Sequence, residues 1–216
     1  MWIVKLGGSL ARDPLLRDWL QALRRYGGGR VVVVPGGGGF AGQVRAHQAQ
    51  WAFDDLVAHN MAVLAMVQYG MMMQGLCPAL SLAHSEEEVR RVLRDDGVAV
   101  WLPYALLREA PDAMTNWDVT SDSIAAWLAS RLGAERLLLV KACEVDARRT
   151  PAEQVERGVV DQAFPRFVRD GAFVVEIVNK ATCMGWEMGS VGLPSMSASP
   201  VIQEDRLAGR FAPLSR

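Results

Sequence analysis

Two short apolar runs in this chain each end in a cluster of glycines. Trp2-Ile3-Val4 leads into Lys5-Leu6-Gly7-Gly8-Ser9, and Val31-Val32-Val33-Val34 leads into Pro35-Gly36-Gly37-Gly38-Gly39. A strand that is apolar throughout has no face for water, so it belongs in a sheet covered by helices on both sides. Glycines directly behind such a strand let backbone N–H groups approach an anion closely, and a helix that follows adds the partial positive charge of its N-terminus. Lys5 adds a full charge at the first loop. The combination suits phosphate, although a strand-to-helix turn with a solvated lysine would explain the first loop by itself.

The rest of the chain alternates strand and helix. Asp13-Pro14 opens a helix whose Leu15, Leu16, Trp19, Leu20 and Leu23 recur at helical spacing, and Gly27-Gly28-Gly29 ends it. Helices are predicted at about 40–50 and 55–75, with a short strand near 79–82. Ser85 with Glu88 reads as a capping box for a helix to about Arg94. Strand 98–102, a connection over 103–120, a helix over 121–132 and strand 136–141 follow. Beyond them come a polar stretch at 142–160, a helix near 161–169, a strand at 173–178 and a tail without clear pattern. Repeated β-α units need crossover connections, so the expected fold is α/β: a three-layer α/β/α sandwich on a mainly parallel sheet. The 216 residues suit one domain, with an acceptor side over roughly 1–110 and a nucleotide side over roughly 111–216.

Composition narrows the function. Half the residues are hydrophobic, 22% are charged and the net charge is -1, a balance that argues against a nucleic-acid partner. Cys77, Cys143 and Cys183 are odd in number, widely spaced and without a Cys-x-x-Cys pair, which suits a reducing cytoplasm. No signal peptide is legible. The apolar helix around 56–73 carries His59, Asn60 and Gln68, and is expected to fall short of a membrane span.

Together with the glycine loops, Trp117-Asp118-Val119-Thr120-Ser121-Asp122-Ser123-Ile124-Ala125-Ala126-Trp127 and Leu137-Leu138-Leu139-Val140-Lys141 resemble the amino acid kinase superfamily over roughly residues 1–146. That superfamily includes carbamate, acetylglutamate, aspartate, uridylate and isopentenyl phosphate kinases. The stretch from Ala58 to Gly70, with the Trp117–Trp127 block, looks closest to the branch of aminomethylfuran phosphate kinases of methanofuran biosynthesis and their methylotroph relatives. The resemblance implies an ATP-dependent phosphotransferase, with Mg2+ carried on the nucleotide and a small, possibly already phosphorylated acceptor.

Phosphoryl transfer needs positioning and positive charge more than covalent chemistry. The resemblance makes Lys5 the charge on the transferring group, with the backbone of Gly7, Gly8 and Ser9 as fixed donors, and makes Asp122 the group orienting a catalytic lysine. Lys141 resembles the lysine that faces the nucleotide in uridylate kinases; a strand-end lysine reaching solvent is the plain alternative. Asp122 could equally be a first-turn carboxylate favoured by the helix dipole. Gly36, Gly37, Gly38 and Gly39 are expected to line the acceptor pocket, with His59 as a polar contact to substrate and Trp117 facing a ring-bearing acceptor. Lys180 is a weaker nucleotide candidate. His59 has no histidine or cysteine at ligand spacing, so no metal site is expected. The methionines of the 55–75 helix read as core or as a homo-oligomer face.

One departure matters. Where many members continue Val-Asp-Gly-Val-Tyr, this chain has Cys143-Glu144-Val145-Asp146-Ala147-Arg148-Arg149-Thr150-Pro151. That leaves an alternative: a non-catalytic small-molecule or oxyanion-binding protein on a degenerate kinase scaffold.

Overall fold

The computed structural model describes residues 1–183. Among these residues thirteen regular elements follow in order: β1 (Trp2–Leu6), α1 (Leu15–Tyr26), β2 (Val31–Pro35), α2 (Gly38–Trp51), α3 (Asp55–Leu76), β3 (Ser81–Ala83), α4 (Glu86–Arg94), β4 (Ala99–Trp101), α5 (Ser121–Leu132), β5 (Arg136–Lys141), α6 (Pro151–Glu156), α7 (Phe164–Val168) and β6 (Val174–Asn179), with short 3-10 turns between some of them. The strands form one sheet in the order β3-β4-β2-β1-β5-β6. Every pairing is parallel. The chain works outward from β1 through β2 to β3 and β4, then returns to β5 on the other flank of β1. The C-terminal ends of β1 and β5 are therefore the switch point where connections diverge and a crevice opens.

Alternation along the central strands builds two cores. Trp2, Val4 and Leu6 of β1 pack with Leu16, Trp19, Leu20 and Leu23 of α1, and with Tyr69 and Met73 of α3. Ile3 of β1 and Leu137 and Leu139 of β5 pack on the opposite face, with Ile124, Ala125, Leu128 and Leu132 of α5, Val89 of α4 and Phe164 of α7. These are the three layers. Residues of a strand two apart share a face. Lys5 therefore shares the face of Ile3, and Lys141 that of Leu139, both turned toward α5.

Several local expectations need correction. Ser85 does cap α4 through the Glu88 N–H, but Glu88 reaches back to the backbone and ring of His84, not to Ser85. The full capping box is at Thr150 and Glu153, starting α6 inside the stretch read only as polar. The α3 helix, 22 residues long with a mean hydropathy of 1.3, is long and apolar enough to cross a membrane by length and composition. Here it lies against the sheet, with Val63, Met66, Val67, Tyr69 and Met73 buried. The patternless tail beyond residue 183 lies outside the described residues.

The two glycine loops meet back to back beside the switch point. A Cβ on Gly8 would lie 2.3 Å from the Gly38 nitrogen, and one on Gly36 would lie 2.6 Å from the Gly8 nitrogen. Gly38 also has φ +56°, a conformation side chains resist. Gly8→Ala should therefore lower stability by roughly 1–3 kcal/mol, the range for overpacking. Gly75→Ala in α3 meets nothing within 4 Å. It should raise stability by about 0.5–1 kcal/mol, because alanine is the better helix former. Denaturant melts of both variants check the pair.

Candidate active site

At the switch point three buried side chains form one ionic cluster. Lys5, Asp122 and Lys141 are 4%, 4% and 9% exposed. Lys141 donates to Asp122 Oδ2 at 2.5 Å. Lys5 Nζ stands 2.7 Å from Asp122 Oδ1, pairing with the other oxygen of the same carboxylate. The strands deliver the lysines and the first turn of α5 delivers the carboxylate, so Asp122 organises two lysines rather than serving only as a helix-end charge. Burial alone would raise the Asp122 carboxyl, yet the Lys5 and Lys141 charges outweigh it and hold its pKa below 3.8. Burial, reinforced by the Lys5 charge, pushes Lys141 below its ordinary value against the pull of Asp122. Two lysines to one aspartate leave the cluster with an excess positive charge out of water. An anion placed beside it would relieve that excess.

The helix end that carries Asp122 is held by a carboxylate from another segment. Asp161 accepts from the Thr120 and Ser123 N–H groups at 2.9 and 3.0 Å, from the Thr120 hydroxyl at 2.8 Å and from the Ser123 hydroxyl. It caps α5 in place of a local residue; Thr120 itself makes no side-chain cap. Nothing in the local sequence marks Asp161, because its partners lie about forty positions upstream.

Beside the cluster lies a cavity of about 590 Å³. Gly8 and Ser9 of the first loop and Gly37, Gly38 and Gly39 of the second line it. Gly7 and Gly36 stand behind the wall: the Gly7 carbonyl accepts from the buried Tyr69 hydroxyl at 3.4 Å, and Gly36 packs on Gly8. The two long walls are helix faces, Gly38, Ala41, Gly42 and Arg45 from α2 and Asp55, His59, Ala62, Val63 and Met66 from α3; Trp117, Thr120, Ser121 and Ile124 close the third side. Trp117 faces the cavity as its loop position suggested, with the Arg45 guanidinium 3.8 Å from its ring centre. His59 lines the cavity too, but its Nε2 sits 2.8 Å from the Leu106 carbonyl. A carbonyl only accepts, so Nε2 bears the proton of that contact. Arg12, Arg45 and Asp55 were not singled out by the sequence; the helical spacing of Asp55 and His59 was the available signal.

Lys180 is not part of this site. It forms an ion pair with Asp13, and its carbonyl accepts from Trp19 Nε1 at 2.8 Å, tying the end of β6 to the α1 entry.

A parallel sheet with glycine loops and a lysine–aspartate–lysine cluster at its switch point is the frame of a phosphotransferase. Residues 1–146 match the amino acid kinase family, and the chain belongs to it; it is a small-molecule kinase. Among proteins of known role it is 28% identical over 149 residues, 68% of this chain and 67% of the other, to the [5-(aminomethyl)furan-3-yl]methyl phosphate kinase of Methanocaldococcus jannaschii. Among solved structures the fold is similar to uridylate kinase from Archaeoglobus fulgidus, with a TM-score of 0.63, 15% identity and coverage of 86% of this chain and 95% of that one. It is similar as well to the T. acidophilum isopentenyl phosphate kinase, with a TM-score of 0.60, 14% identity and coverage of 90% and 97%. The non-catalytic alternative finds no support in these comparisons.

Asp122→Asn tests the cluster in the folded protein. Breaking a buried ion pair by removing one partner costs roughly 3–5 kcal/mol. A depressed carboxyl pKa stabilises the fold above the unfolded value and loses that contribution as pH falls through the folded one. The stability gap between wild type and Asp122→Asn should therefore be full above pH 3.8 and narrow below it. Urea melts from neutral pH downward would show a constant gap if Asp122 were unpaired.

Proposed function

We propose that this protein transfers the γ-phosphoryl group of ATP to the phosphate of a small ring-bearing phosphomonoester, giving a diphosphate. The carrying observation is the buried Lys5–Asp122–Lys141 cluster, positively charged in excess and beside two glycine loops that line a cavity. The named relative from M. jannaschii favours an aminomethylfuran phosphate as acceptor and methanofuran-type cofactor biosynthesis as the setting. An acceptor phosphate oxygen attacks the γ-phosphorus in line while the bond to the β–γ bridging oxygen breaks, and ADP carries that oxygen away. Lys5, with the backbone of Gly8 and Ser9, stabilises charge on the transferring group; the Gly7 N–H is already committed to the Val140 carbonyl at 3.3 Å. Lys141 holds a nucleotide phosphate. Asp122 keeps both ammonium groups aimed, and Gly37, Gly38 and Gly39 shape the acceptor end, with Gly36 packed behind them on Gly8.

Mg2+ in this reading arrives on the nucleotide. Among the described residues no group of three or more His, Cys, Asp or Glu side chains is placed to hold a metal ion. The first 110 residues supply most of the acceptor side and the rest the nucleotide side, in a single cytoplasmic domain acting on small molecules rather than nucleic acid or membrane. A second copy completes the assembly. Val57, Leu64 and Met71 of α3 are each more than 40% exposed and recur every seven residues, and Trp51 at the end of α2 is 70% exposed. A stripe of that spacing is a helix-packing seam.

Three measurements test these readings. Lys5→Met should lower kcat by ~10²–10³-fold with the fold intact, as for loss of one transition-state donor, whereas Lys141→Ala should mainly weaken ATP binding in calorimetry. Normal turnover in Lys5→Met would remove it from the mechanism. Leu64→Glu should convert a dimer to monomer in sedimentation analysis; an unchanged mass would move the interface elsewhere.

A further inference from the structure

The acceptor cavity is lined by exposed charges of both signs that no ion pair among the described residues neutralises. Arg12, Arg45 and Asp55 all line it, and none of them has an ion-pair partner among the described residues. They are also spread along its length. Arg12 is at the α2 entry, where its Nη2 lies 3.7 Å from a Cβ built on Gly39. Arg45 is stacked on Trp117 further along the helix. Gln48, on the same α2 face again, donates to Asp55 Oδ1 at 2.8 Å and accepts from Trp117 Nε1 at 2.6 Å. From Gly38 to Gln48 the helix rises about 15 Å, so Arg12 at the helix entry and Asp55 beside Gln48 are well apart at backbone level, with Arg45 one turn from Gln48. Gly38, Ala41 and Gly42 keep the face between them low; a Cβ on Gly42 meets nothing within 4 Å.

Asp55 accepts from Gln48 and, in the first turn of α3, suits the helix dipole, but no cation among the described residues pairs with it. The α3 helix is already capped by Asp54, which accepts from the Val57 N–H at 2.9 Å. One turn beyond Asp55 on the same face is His59, whose Nε2 donates to the Leu106 carbonyl. A carboxylate and an imidazole at one end of a cavity, with a guanidinium and a glycine-lined helix entry at the other, match a ligand that is cationic at one end and anionic at the other.

We propose that the cavity selects a zwitterionic acceptor: Arg12 and the α2 entry take its phosphate next to the Lys5 cluster, the Arg45–Trp117 stack lies along its ring, and Asp55 with His59 holds a primary ammonium group. This rests on the kinase reading above, which sets the phosphate end beside Lys5, and it assigns the residues that tell an amino acceptor from its neutral counterpart. An ammonium that donates to a carboxylate is lost as a contact when either partner loses its charge, whereas the phosphate contact is common to both acceptors.

The test compares two acceptors, [5-(aminomethyl)furan-3-yl]methyl phosphate and the analogue with methyl in place of aminomethyl, in the wild type, Asp55→Asn and Arg12→Met. Both kcat/KM with MgATP and acceptor affinity by calorimetry without ATP are measured. The wild type should prefer the amino acceptor by about 10–100-fold, the range for a hydrogen bond to a charged group. Asp55→Asn should erase most of that preference. Arg12→Met should weaken both acceptors and retain the preference. Equal loss on both acceptors in Asp55→Asn, as a packing role would give, overturns the assignment, and so does a wild type that turns over both acceptors alike. A wild type that binds ATP but turns over neither acceptor overturns the acceptor reading of the preceding section, and the assignment with it.

Discussion

Two lysines and one aspartate, all out of water, hold the centre of this molecule together. Charged groups are costly to bury singly, and the cluster is stable only because strand register and helix placement bring opposite charges within hydrogen-bond reach. Lys5 and Lys141 occupy the core-facing positions of β1 and β5 where isoleucine or leucine would otherwise pack, and α5 answers them with Asp122 at its first turn. Asp161 anchors that turn from a later segment. Shifting any of these elements by one residue would leave a buried charge alone. The geometry of the site and the stability of the fold are thus coupled.

The same coupling governs the glycine loops. Their backbones approach so closely that side chains are excluded at Gly8 and Gly36 by contact with each other, whatever a ligand requires. Gly37 is constrained as well, since a Cβ there would meet Ala41 at 2.3 Å. Substitutions at these positions probe loop packing first and acceptor binding second. A Cβ on Gly42 faces open space and one on Gly39 meets only the end of the Arg12 side chain at 3.7 Å, so these are where cavity shape can change while the backbone stays in place.

Much of the fold was legible because the signals are local. The valine run of β2, the apolar spacing of α1 and the glycine stops depend on residues a few positions apart, and period-2 and period-3.6 patterns report them directly. The weaker expectations failed where several short-range partners compete. Glu88 had both Ser85 and His84 within reach, and α6 opens at Thr150 in a stretch with too few apolar residues to display a period. The reading of α3 as too polar to span a membrane weighed His59, Asn60 and Gln68 individually. Over the whole helix the apolar residues dominate, and packing on the sheet accounts for them.

By itself the sequence determined the alternation of strand and helix, the two glycine loops and the identity of Lys5, Asp122 and Lys141 as candidates, since each is written in consecutive residues. Only the tertiary structure decided that Asp122 lies between both lysines, that Lys180 pairs with Asp13 instead, and that Arg12, Arg45, Asp55 and His59 share one cavity. The physical reason is distance along the chain. Charge pairing acts over a few ångströms in space, and residues such as Lys5 and Asp122 or Thr120 and Asp161 come that close only after the parallel sheet has set its strand order.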